Sequence, residues 1–101
     1  MVQYIQLNDK DYPVRINRRV MVAFEAKTGK GLNSLSNLST QNLTDILFAG
    51  IREGYAFTKE KNPFKDIEDF EKILDEIELE EFYEKSANVI AGFFSKKEEK
   101  E

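Results

Sequence analysis

The sequence contains no cysteine and no histidine. Without cysteine there is neither a disulfide nor thiolate chemistry, and a reducing cytoplasm suits the chain. Without histidine, the commonest metal ligand and the usual general base near neutral pH are both missing. No apolar run approaches the roughly 18 residues that a membrane-spanning helix needs. The opening residues alternate like a strand instead of pairing a basic patch with an apolar stretch, so no signal peptide is expected. No GxSxG, P-loop or dinucleotide fingerprint occurs, and Gly29-Lys30-Gly31 is too short to cradle a phosphate chain. Adjacent carboxylates such as Asp75 and Glu76 point to different sides of a helix. The acidic stretch from Asp66 has no glycine to make an EF-hand turn. The expectation is a chain with no catalytic residue, no cofactor and no metal, acting by binding and not as an enzyme.

What the chain does have is an interior. Of its 101 residues, 41% are apolar and 12% aromatic, a globular composition. The expected organisation is one compact domain over residues 1–95 and a charged, disordered tail over 96–101. A chain of this size hides roughly 60–68% of its unfolded surface, which supports one modest core and leaves little for a deep buried site. The formal net charge of −4 argues against nucleic-acid binding, which draws most of its affinity from neutralising phosphates. The charge is unevenly spread: residues 1–65 are net basic, whereas residues 66–84 carry ten acids and only Lys72.

Hydrophobic periodicity predicts an α+β fold, mostly helical: a two-stranded antiparallel hairpin packed on about four helices. The strands are expected at 2–7 and 12–16, with Asn8-Asp9-Lys10-Asp11 turning between them. Pro13 lacks an N–H and belongs at an edge or a strand start. Asn17 caps a first helix at 18–28, with Val20, Ala23, Phe24 and Thr28 on one face. Gly29 and Gly31 end it. A connector, 32–38, offers leucines to the core. Ser39 caps a second helix at 40–57, with Leu38 and Leu43 placed as a hydrophobic staple. Its apolar side carries Leu43, Ile46, Leu47, Ile51 and Phe57. After a loop at 58–65, Asp66 caps a third helix at 67–77, and a fourth follows at 79–94. The fourth buries Leu79, Phe82, Ser86, Val89, Ile90 and Phe93.

Three features bear on function. Gly50 and Gly54 share the apolar face of the second helix, where each costs about 1 kcal/mol relative to alanine. Another backbone must come close there, either the chain's own or that of a partner segment. Val22, Phe48, Tyr55, Tyr83 and Phe94 fall off or at the edge of their helix faces. They are boundary packing or, if contiguous, a partner-binding surface. The acidic stretch 66–84 is either a solvated helical face or a surface complementary to the basic N-terminal region, which would orient self-association head to tail.

The order of elements resembles the tail assembly chaperones of long-tailed phages and prophages, over residues 2–94. The first helix ends in a phrase similar to that family's: Phe24 and Glu25, two residues, Thr28 and Gly29, with Leu32 shortly after. The next helix carries a matching alanine-glycine step, Ala49-Gly50, and an acidic helical pair beginning at Phe64 closes the pattern. The resemblance implies a cytoplasmic protein, not retained in the virion, that binds the tape measure protein and recruits tail tube subunits. It also implies that some chains are lengthened by a frameshift near the end of the reading frame. Two other classes are weighed against it. A structural tail or connector component would favour a strand-rich fold. A nucleic-acid-binding regulator would use the first two helices as a helix-turn-helix, against the acidic charge and the serine-rich connector.

Overall fold

The hairpin that opens the chain turns on two residues, Asn8 and Asp9, both with positive φ (55° and 65°). That is the signature of the tight turn whose twist matches antiparallel strands, and Asn and Asp tolerate it better than other non-glycine residues. The computed structural model describes residues 2–31 and 38–94, the last of these in its backbone only. Strand β1 (Gln3–Leu7) pairs antiparallel with β2 (Lys10–Val14), from Leu7 opposite Lys10 at the turn to Gln3 opposite Val14. The four-residue turn expected from the sequence is therefore a two-residue one. Lys10 and Asp11 join the second strand, and Arg15 and Ile16 lie beyond it.

Among the described residues four helices follow: α1 (Arg18–Thr28), α2 (Thr40–Thr58), α3 (Ile67–Leu74) and α4 (Leu79–Phe94). The fold is α+β and mostly helical. The side chains of Asn17, Ser39 and Asp66 cap the first three by accepting from the backbone N–H three residues on, as the sequence predicts. Gly29 closes α1 in the left-handed region at φ 75°. Thr28 seals the same end, its hydroxyl donating to the Phe24 carbonyl at 2.7 Å and accepting from Lys30 N–H at 3.1 Å. Helix α3 stops three residues short of expectation. Beyond Leu74 the backbone tightens, with Glu76 N–H bonded to Ile73 and Ile77 N–H to Leu74, and such i→i+3 bonds form the corner that sends the chain into α4.

One cluster of buried residues draws on all six elements, with Ile5, Leu7, Val14, Val20, Ile46, Leu47, Ile51 and Phe70 at its centre. Helix α2 is its axis, packing on β2, α1, α3 and α4. The glycines make this possible. A Cβ at Gly54 would fall 2.4 Å from the Pro13 carbonyl oxygen, and one at Gly50 would meet Val14 Cγ1 at 3.0 Å. The Gly50 carbonyl accepts from Arg15 N–H at 2.9 Å. The backbone that comes close is thus the chain's own second strand. Three expectations about faces are corrected. Ala23 is exposed, because α1 turns Val20 and Phe24 into the core, with Met21 partly buried beside them, and leaves Ala23 on the outer side. Phe57 and Leu79, at the last turn of α2 and the first residue of α4, are exposed because those helix ends overrun the core.

Candidate partner-binding surface

The aromatic residues sort into those that close the core and those that face outwards. Tyr12, Phe64, Phe70 and Phe48 form a chain of rings, with centroids 5.4, 5.3 and 6.0 Å apart in turn. Offset and edge-on rings at this spacing contribute about 0.5–1.5 kcal/mol per pair beyond their burial. Phe64 is the member that periodicity does not reveal, because it lies in the loop before α3. It is held there by an Asx turn, its N–H donating to Asn62 Oδ1 at 2.9 Å. Phe48 is the half-buried end of this chain, with the Arg52 guanidinium 5.7 Å from its ring. It lines a groove of about 360 Å³ between α1, α2 and the start of α3, beside the ion pair from Lys27 Nζ to Asp45 at 3.0 Å.

Of the candidate partner-binding residues, Tyr55 is closed off from a partner. It is only 7% exposed and belongs to the core. Although it is seven residues from Phe48, the hairpin reaches round α2 far enough to cover it. Burial pushes the Tyr12 hydroxyl pKa upwards. It does the same at Tyr55, where Tyr12, Glu60 and Tyr4 add to the effect. Val22 is 48% exposed on α1 but lines none of the grooves described. Tyr83, 36% exposed, stands at an edge of α4, where its hydroxyl meets that of Thr40 and its ring lies 5.9 Å from Phe82. The side chain of Phe94 lies outside the described residues, as does Leu32 of the family-like phrase. The rest of that phrase is structural. Phe24 is core, Thr28 and Gly29 form the helix cap, and Glu25 is exposed and gives its carbonyl to the Gly29 N–H. The four candidates whose side chains are described therefore do not make one surface, since one of them, Tyr55, is buried.

A surface does form beside Tyr83. The first turn of α2, the end of α3 and the start of α4 enclose an open groove of about 630 Å³. Leu74, Ile77, Leu79 and Phe82 give it apolar walls, Thr40, Gln41 and Thr44 a polar side, and Glu71 and Asp75 an acidic rim. Leu79 is 60% exposed, the most exposed of the large apolar side chains described. Two local features build the groove: the tight corner after Leu74, which turns Ile77 inwards beside α4, and the Thr40–Tyr83 hydroxyl contact, which holds α4 against the start of α2. The surrounding acids, Glu78, Glu80 and Glu84, are exposed. Glu80 and Glu81 lie in the first turn of α4, where carboxylates suit the helix dipole. The sequence signalled the acids and Tyr83, but not the groove, because Leu79 reads as one more core position on an amphipathic helix.

Among the described residues, no group of three or more acidic side chains is placed to hold a metal ion. No helix there is long and apolar enough to cross a membrane. A groove with one apolar wall, one polar wall and two carboxylates can desolvate apolar side chains on another polypeptide while pairing with cations that flank them. No protein-family model matches the chain, and neither a curated protein nor a solved structure does.

Proposed function

We propose that this chain is a non-catalytic tail assembly chaperone, and that the groove between α2, α3 and α4 receives an amphipathic helical stretch of a long partner, the tape measure protein. The observation that carries the reading is Leu79, held open to solvent beside Leu74, Ile77 and Phe82 in a groove that Glu71 and Asp75 also line. Burying a leucine side chain contributes about 1.5–3 kcal/mol, so leaving one exposed among apolar neighbours favours a partner that covers it. The acidic exterior keeps the loaded complex in solution by net repulsion. Recruitment of tail tube subunits, a place in the host cytoplasm and absence from the finished virion follow from the resemblance of sequence order.

The test is co-expression with a tape measure protein, read as the soluble fraction of that partner. The wild-type chain should raise it, and Leu79→Asp should remove most of the effect while leaving the chaperone folded. Equal solubility with and without the chain would sink the proposal, as would recovery of the chain in stoichiometric amounts from purified particles.

A further inference from the structure

Phe48 faces a groove whose charges differ from those around Leu79. It lies between α1, α2 and the start of α3, with a volume of about 360 Å³. Phe24, Phe48 and Ile67 give it apolar walls, and two carboxylates, Asp45 and Asp66, line it. Both are already answered within the chain. Asp45, its side chain only 5% exposed, pairs with Lys27 Nζ at 3.0 Å and accepts from Gln41 at 3.2 Å. Asp66 caps α3, its Oδ1 accepting from Asp69 N–H at 3.0 Å. The cations are not all answered. Arg52 and Lys65 line the groove, both are exposed, and among the described residues neither side chain has an ion pair. The Arg52 guanidinium lies 5.7 Å from the centre of the Phe48 ring. A guanidinium held over a ring is preorganised and keeps its N–H edge for a carboxylate. The unanswered charge of this groove is therefore positive.

We propose that this groove binds an acidic segment of another polypeptide. One aromatic or leucine side chain of that segment seats against Phe48 and Ile67, and Arg52 and Lys65 take the carboxylates that flank it. The inference does not rest on the reading of the groove beside Leu79. That groove is lined by Glu71 and Asp75 and suits apolar side chains flanked by cations. The two grooves thus select segments of opposite charge. The size of the cationic groove is near the lower end of the usual range for binding clefts, about 300–1,000 Å³. It holds a single large side chain with its neighbours and not a folded surface. Phe48, left half-buried on α2, gains from being covered. The same geometry disfavours nucleic acid. Glu68 and Asp69 follow Ile67 in the first turn of α3, and their charge repels a polyphosphate chain, which draws its affinity from a row of cations. Two carboxylates need only the two cations that are there.

The probe is a short synthetic peptide with one phenylalanine between two runs of glutamate, titrated into the isotope-labelled chain and followed by amide resonances. Those of Phe48, Arg52, Lys65 and Ile67 should shift together and saturate. A peptide with serine for the phenylalanine should bind about tenfold more weakly, because the anchor is gone. One with lysine for the glutamates should not bind there. Arg52→Glu with Lys65→Glu should weaken the glutamate peptide about tenfold or more. Arg19→Glu with Lys61→Glu makes the same change of net charge at residues outside the groove, and should weaken it less than about threefold at moderate salt. All four side chains are exposed, and a dispersed spectrum shows that each variant is folded. No saturable shift at these amides, equal binding by the serine peptide, or an equal loss in both double variants would overturn the proposal. So would an oligothymidylate that saturates the same amides at lower concentration, which would make the groove a nucleic-acid site.

Discussion

Gly54 lies against the backbone of Pro13 so closely that a methyl group on it would sit 2.4 Å from the proline carbonyl oxygen and 2.5 Å from its carbonyl carbon. Neither atom belongs to a side chain that can turn away. Alanine at this position gains about 1 kcal/mol of helix propensity but forces the hairpin off α2, at a cost of about 3 kcal/mol from overpacking. Gly54→Ala should therefore lower stability by about 2 kcal/mol. Gly50→Ala meets the end of the Val14 side chain at 3.0 Å instead and should fall within about 1 kcal/mol of wild type. Urea denaturation of the two variants separates them, and equal midpoints would show that the hairpin is not held where the structure puts it.

This pair of glycines was legible in the sequence, because two in the centre of an apolar stripe have few explanations. So were the caps at Asn17, Ser39, Asp66 and Gly29, each a local event between residues a few positions apart. The failures share a cause. Phe57 and Leu79 obey the helical period of their segments, yet both are exposed. Periodicity gives the face a side chain takes but not how far the helix extends past its neighbours. Tyr55 fails in the reverse sense: it departs from the α2 stripe and is still buried, because β2 wraps that side of the helix. Phe64 has no period at all. The groove is invisible for the same reason, since it depends on where three helix ends stop relative to one another.

Ser86 lies fully buried on α4, and among the described residues its hydroxyl has no hydrogen-bond partner. A buried polar atom left unpaired costs about 1–3 kcal/mol, and alanine fills nearly the same space without it. Ser86→Ala should accordingly raise stability by about 1 kcal/mol, visible as a higher denaturant midpoint at unchanged slope. A loss of stability would mean that the hydroxyl does have a partner.

Tyr12 and Tyr55 both hold their protons more tightly when folded than when unfolded, chiefly because burial disfavours the phenolate. A raised folded pKa gives stability that is fully present below the ordinary tyrosine value of 10.0 and is lost as pH rises through the higher folded value. Stability should be insensitive to these two groups through neutral pH and fall above pH 10. Tyr12→Phe should flatten part of that fall while keeping the ring on Phe64. Circular dichroism melts between pH 8 and pH 11.5 (roughly, spanning the tyrosine range) provide the check, and identical alkaline profiles for wild type and variant would refute the assignment.

Lys59 ends α2 in the left-handed region at φ 65°, its N–H bonded to the Tyr55 carbonyl. A side chain with a Cβ costs about 1 kcal/mol or more in that conformation, and glycine does not. Lys59→Gly should raise the melting temperature by about 4 °C or more for a domain of this size. The strain belongs to the backbone and not to the lysine side chain, which is exposed. A melting temperature unchanged or lowered in this variant would show that the turn after α2 carries no such strain.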